Sequence, residues 1–146
     1  MKKVLLAGPF TSKAITDMRF VTCPLGVSYI ASYLNSHGHK ATVYDCNMAL
    51  NNGKSFADVV KGDDWDFICF SILEATVEYD LSKIHEAKRL RPNSLLVAGG
   101  TGASLNYQML FEKSPLDIVV LAEGEVPMLE ICNGKRIACR LTGTIC

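Results

Sequence analysis

Five short, almost purely apolar runs restrict this chain's architecture more than any other feature: Val4–Ala7, Ala41–Asp45, Phe67–Ile72, Leu95–Ala98 and Ile118–Ala122. Four of the five are nearly continuous. A strand with one wet face alternates apolar and polar residues, so an unbroken run calls for burial on both faces. Helices on both sides of a parallel sheet provide that burial.

The segments between the runs carry helical spacing. Val27, Ile30, Ala31 and Leu34 share one face, with Pro24 suited to the first turn and Gly38 to the C-terminal cap. Phe56, Val59 and Val60 mark a short helix. Val77, Leu81, Ile84 and Ala87 form a stripe that stops before Pro92. Leu105, Met109 and Leu110 mark a fourth helix, and Val126, Met128, Leu129 and Ile131 a fifth. Strand and helix alternating in this way predict an α/β fold: a doubly wound, five-stranded parallel sheet in three layers. Right-handed crossovers favour strand order 2-1-3-4-5. Residues 1–131 make up this domain. Residues 132–146 read as a C-terminal tail or edge hairpin, with a turn at Asn133-Gly134 and a short arm over Arg136–Leu141.

Composition narrows the function. The 146 residues are 49% hydrophobic and 21% charged, enough for one core and too little charge for disorder. Lys plus Arg and Asp plus Glu number 15 each, which gives no basic face for nucleic acid and no attraction to an anionic membrane. No apolar run has the length of a membrane span. The start, MKKVLLAGPF, is broken at Pro9 and lacks a small-residue cleavage site, so it reads as a first strand and not a leader. The six cysteines, Cys23, Cys46, Cys69, Cys132, Cys139 and Cys146, show no C-x-x-C spacing. They suit a reduced, cytoplasmic protein that uses cysteine as a small apolar residue.

In open α/β sheets, ligands sit beyond the C-terminal ends of the strands. The loops there are Gly8-Pro9-Phe10 with the stretch to Cys23, Ser71–Thr76, Gly99–Ala103 and Ala122–Glu125. After strand one there is no G-x-G-x-x-G for a dinucleotide and no Walker loop. No Asp ends strand three, as a phosphoacceptor domain would need. Thr11, Ser12 and Thr16 resemble a flavin phosphate loop only faintly. Three glycines within Gly99–Gly102 suit close approach of a ligand, or simply a tight turn. Thr76 suits a helix cap, and Glu123 and Glu125 suit the dipole of the helix they begin. The three histidines, His37, His39 and His85, read as solvated. No nucleophile and base are assembled, so the chain shows no complete catalytic machinery.

These segments also form an ordered series. Pro24-Leu25-Gly26-Val27, Tyr29–Leu34, Gly38-His39-Lys40 and Val43-Tyr44-Asp45 come first. Phe67–Ser71, Ala98-Gly99-Gly100, Asp117–Val120 and Glu123-Gly124-Glu125 follow. Over residues 1–131 the series resembles the N-terminal cobalamin-binding domain of radical S-adenosylmethionine enzymes, many of them methyltransferases. The resemblance implies a flavodoxin-like fold with cobalamin as cofactor, its corrin above the strand ends and its nucleotide tail near Gly99–Gly102. By position, Pro9, Phe10, Ser71, Leu73, Glu74, Thr76, Gly99, Gly100, Thr101, Gly102, Ala122, Glu123, Gly124 and Glu125 would line the site. Leu73 and Glu74 are the candidates for the lower corrin face. The D-x-H-x-x-G motif that brings a histidine to cobalt is absent, as is the C-x-x-x-C-x-x-C of the radical domain. The implied role is a corrinoid-binding module that serves a radical domain in cis or in trans. A cofactor-free interaction domain and a small enzyme using Glu123, Glu125 or Ser71 are the alternatives. An apolar face left without its partner domain would support a homodimer.

Overall fold

The computed structural model describes residues 1–10, 24–46, 54–121, 123–135 and 144–145. Thr11, Ser12, Thr16, Cys23, Ala122, the Arg136–Leu141 arm, Cys139 and Cys146 lie outside them. The strands are β1 (Lys3–Ala7), β2 (Lys40–Tyr44), β3 (Phe67–Ser71), β4 (Leu95–Gly99), β5 (Ile118–Val119) and β6 (Thr144–Ile145). All pair in parallel, in the order β2-β1-β3-β4-β5-β6. The five expected strands take the expected order, and β6 adds a two-residue parallel edge. The fifth run pairs over fewer residues than its apolar length suggests, although the Val120 amide still donates to the Ala98 carbonyl at 2.8 Å.

The helices are α1 (Leu25–Ser36), α2 (Phe56–Lys61), α3 (Val77–Leu90), α4 (Thr101–Lys113) and α5 (Glu125–Cys132). Local chemistry sets their ends. Gly38, at φ +83°, follows α1, and the His39 amide bonds back to Leu34 O at 3.1 Å. Ser55 and Asp58 cap α2 reciprocally, each side chain accepting the other's amide at 3.2 Å. No helix among the described residues is long and apolar enough to cross a membrane.

Alternation along each strand divides the core into two layers. Leu5, Ala7, Ile68, Phe70, Leu96 and Ala98 face α2, α3 and α4. Val4, Leu6, Phe67, Cys69 and Val97 face α1 and α5. The first layer is closed by aromatic rings: Phe10 lies edge-on to Phe56 at 4.9 Å, with Phe70, Tyr44 and Tyr79 around them. On α4 the buried residues are Gly102, Ala103 and Leu110, whereas Leu105 is 70% exposed. The non-helical Asn106, at φ −120°, interrupts that helix, and its amide bonds back to Gly102 O at 2.9 Å. A regular 3.6-residue stripe therefore misplaces Leu105.

Carboxylates fasten the N-terminal edge of the sheet. Asp66, just before β3, accepts the Lys3 amide of β1 at 2.8 Å and pairs with the Lys2 ammonium at 2.8 Å. Asp117, just before β5, accepts the Leu96 amide of β4 at 2.8 Å and pairs with Lys88 at 3.2 Å. Asp63 bridges Lys3 and Lys40, and these contacts hold its carboxyl down at about 2.

Ile68 is fully buried in a strand paired on both sides. Ile68→Ala is expected to lower unfolding free energy by about 2–5 kcal/mol with an unchanged urea m-value, measured by equilibrium denaturation.

Candidate cofactor cavity

A cavity of about 160 Å³ opens at the C-terminal ends of β1, β3 and β4, on the α1/α5 side of the sheet. It lies beside the switch point between β1 and β3, where chain connections depart in opposite directions. Its walls are Leu6 and Cys69 from the strands, Val97 and Val120 beyond them, and Val27, Ile30 and Met128 from the helices. Ser71, Gly99, Gly100, Glu123, Gly124 and Glu125 complete the lining. The walls are apolar and polar groups gather around them, a division typical of small-molecule sites.

Burial pushes the Cys69 thiol well up from its ordinary value and the Cys132 thiol up to about 11. Cys69 therefore lines the cavity as a neutral, weakly polar group with no thiolate reactivity. All three histidines are remote from the opening. His37 and His39 flank the turn between α1 and β2 at the other edge of the sheet. His85 contacts the Lys113 carbonyl at 2.9 Å, at the end of α4. Among the described residues, no three His, Cys, Asp or Glu side chains are grouped to hold a metal.

The structure brings six of the residues expected at the site into the cavity lining: Ser71, Gly99, Gly100, Glu123, Gly124 and Glu125. The other described ones do not line it. Phe10 is 3% exposed within the aromatic layer on the opposite face, and Pro9 beside it is half-buried. Leu73, Glu74 and Thr101 are exposed on the rim. Thr76 is buried, its Oγ1 accepting the Leu73 amide at 3.2 Å and closing the 3₁₀ turn over Glu74–Thr76. Ala122 is outside the described residues.

The glycines act differently from their sequence appearance. A Cβ on Gly100 would meet Ile72 O at 2.8 Å, and one on Gly102 would meet the Leu73 carbonyl carbon at 2.4 Å. Gly102 N–H donates to Ile72 O at 2.9 Å, so that amide is not available to a ligand. The glycines let the β4 turn press against the β3 loop, and the cavity is framed by that contact. Gly124 similarly admits Ile30, whose Cδ1 would lie 2.6 Å from a Cβ there. Gly26, Val27, Ile30 and Met128 form the helix-side wall. Their sequence signal was the small residue within the first turn of α1 and the apolar face following it.

The cavity is smaller than the 300–1,000 Å³ typical of sites that engulf a drug-sized ligand. An engineered apolar cavity of ~150 Å³ takes up benzene. The hollow thus suits one flat, apolar ring system, with any larger remainder of the ligand lying over the rim. A benzimidazole base with a corrin outside it fits this division.

The family model of the B12 binding domain matches residues 12–132. Among solved structures, the chain is similar to the radical S-adenosylmethionine methyltransferase TsrM from Kitasatospora setae, solved with its tryptophan substrate and a SAM analog. The TM-score is 0.77 at 18% identity, over 92% of this chain and 26% of that one. The chain thus spans about a quarter of the methyltransferase it matches. No curated protein matches the chain significantly by sequence.

Gly102→Ala gives a test of the loop contact. Alanine raises helix propensity by up to ~1 kcal/mol relative to glycine. A clash with backbone at 2.4 Å cannot be relieved by a rotamer change, and overpacking of this kind costs about 1–3 kcal/mol. A net loss of stability is expected, read as a lower urea midpoint.

Proposed function

Because the chain belongs to the B12-binding domain family, we propose that it presents a corrinoid at its strand ends to a radical S-adenosylmethionine domain, in cis or in trans. Cobalamin is the cofactor of that family and of this chain. The cavity at the strand ends carries the proposal for how it is held. The nucleotide base enters between the sheet and helices α1 and α5, against Leu6, Val27, Cys69, Val97 and Met128. Corrin lies over the rim formed by the loops after β3 and β4.

The chain's own groups have distinct tasks in this arrangement. The apolar walls exclude water from the base and fix its depth. Ser71, Glu123 and Glu125 at the lining accept hydrogen bonds from amide groups of the ligand periphery. Leu73 and Glu74, exposed on the rim, face the lower side of the ring. The cobalt supplies the methyl or electron transfer, and the protein supplies position and environment. A cofactor-free interaction domain is the less favoured reading, since the family match spans residues 12–132 and the cavity is open.

The test is retention of hydroxocobalamin after desalting, read from its absorption bands, expected near one equivalent per chain. Burying an aromatic base contributes roughly 1.5–3 kcal/mol. Cobinamide, which lacks the nucleotide, is therefore expected to bind about tenfold more weakly or worse. Val97 is 2% exposed and faces the hollow. Val97→Phe should fill it and abolish retention while leaving the far-ultraviolet circular dichroism unchanged. Equal retention of cobalamin and cobinamide by wild type and variant would refute the proposed seating.

A further inference from the structure

On the α2/α3/α4 side of the sheet, away from the cavity, one acidic side chain is completely enclosed. Asp80, in the first turn of α3, has no exposed surface. Acids are almost never buried this fully without a partner charge, yet Asp80 forms no ion pair among the described residues. Its Oδ2 accepts the Thr76 hydroxyl at 2.6 Å, and its Oδ1 has no hydrogen-bond partner among the described residues.

The groups around it are neutral or committed elsewhere. From the end of β2, the Cys46 thiol faces Asp80 and is itself pushed up to about 12 by burial. Tyr44 on β2 is likewise raised to about 12. Lys83, one turn along α3, pairs with Glu86 at 2.8 Å and lies over the rings of Phe56 and Tyr79. Asp58 on α2 is bound to Ser55. The Phe10 amide, from the loop after β1, favours the charged carboxylate but brings no counter-charge.

Asp80 is connected to the opening of the cavity by a chain of five contacts. Thr76, which donates to it, accepts the Leu73 amide at 3.2 Å. The Leu73–Glu74 peptide lies against Gly102, so closely that a Cβ there would be 2.4 Å from the Leu73 carbonyl carbon. Gly102 N–H then bonds Ile72 O at 2.9 Å, and Ile72 N–H bonds Gly99 O at 2.9 Å. Gly99 and Gly100 line the cavity.

We infer that Asp80 is a positioning residue: in its neutral form it holds the Leu73–Thr76 turn, and through Gly102 the cavity mouth, and ionisation loosens both. The physical reason is that an enclosed carboxylate, bonded by the Thr76 hydroxyl and approached by the Phe10 amide but given no counter-charge, is relieved when the turn opens to water. Burial raises this carboxyl to about 7, with the Thr76 hydroxyl and Phe10 amide acting in the opposite sense. An unfolded Asp titrates near 3.9. The folded value is the higher one, so proton binding favours the closed turn at low pH. That contribution is lost as pH rises from about 4 to about 7. A consequence for corrinoid affinity rests on the seating proposed above, whereas the coupling of Asp80 to the rim does not.

Amide hydrogen exchange of the cofactor-free chain between pH 5.5 and 8.5, corrected for intrinsic exchange, tests the coupling. Protection over 71–76 and 99–103 is expected to fall with rising pH in wild type and to level off above about 7. In Asp80→Asn, which mimics the neutral acid, it is expected to stay level. The two proteins differ at this one side chain, so the effects of all other groups cancel in the comparison. Thr76→Val removes the hydroxyl that joins Asp80 to the Leu73 amide, so protection over 71–76 should be lower throughout and lose its pH dependence, a test that stands even if Asp80→Asn fails to fold. A pH response in Asp80→Asn or in Thr76→Val identical to that of wild type would overturn the inference. Hydroxocobalamin titrated at both pH values should bind roughly fivefold or more weakly at pH 8.5 in wild type only. Rim protection that follows Asp80 while no corrinoid is retained at any pH would support the latch and defeat the cofactor seating instead.

Discussion

The loop after β3 is gripped from both sides by backbone lacking side chains. Gly8 lies so close to the Ser71 carbonyl that a Cβ would sit 2.7 Å from it, and Gly100 and Gly102 approach Ile72 and Leu73 as tightly. Contacts of this kind have no rotamer freedom, and close-packed backbone transmits displacement directly. The three loops at the strand ends therefore form one rigid frame. The cavity exists because that frame holds the strand termini apart from α1 and α5, while Gly124 lets Ile30 close the side wall.

The two layers around the sheet are unequal in consequence. Three helices and a cluster of aromatic rings pack against the α2/α3/α4 side. Two helices cover the other side, and the hollow is left where their N-terminal turns diverge from β3 and β4. Asp80 is a polar group enclosed in the first layer and joined through Thr76 to the loop at the rim of the second.

Much of this was legible in the sequence. Continuous apolar runs led to a parallel sheet with two covered faces, and the observed order is one of those that right-handed crossovers leave open. Gly38 and Pro92 marked helix ends through local backbone chemistry. What could not be read is which apolar residue faces which layer, because both layers are apolar. Phe10 follows a strand end as a ligand contact would, but its ring is drawn into the packed layer against Phe56. Leu105 fits a helical stripe that Asn106 interrupts. The glycines after β4 were recognised as permitting close approach. The chain that approaches, however, is the neighbouring loop, a tertiary fact with no local sequence signal. Ile30 and Met128 reach the cavity for the same reason.

The carboxylates at the N-terminal edge have a bearing on the guest as well. Exposed ion pairs contribute little to stability, but Asp66 and Asp117 each also accept a main-chain amide from the adjoining strand. They act as registration marks between β1 and β3 and between β4 and β5. Sliding a strand by one residue exchanges its two faces. Such a slip would present Leu5, Ile68 and Leu96 where Leu6, Cys69 and Val97 now stand. The shape of the pocket wall is thus decided at the opposite margin of the sheet, by side chains that no cofactor ever touches.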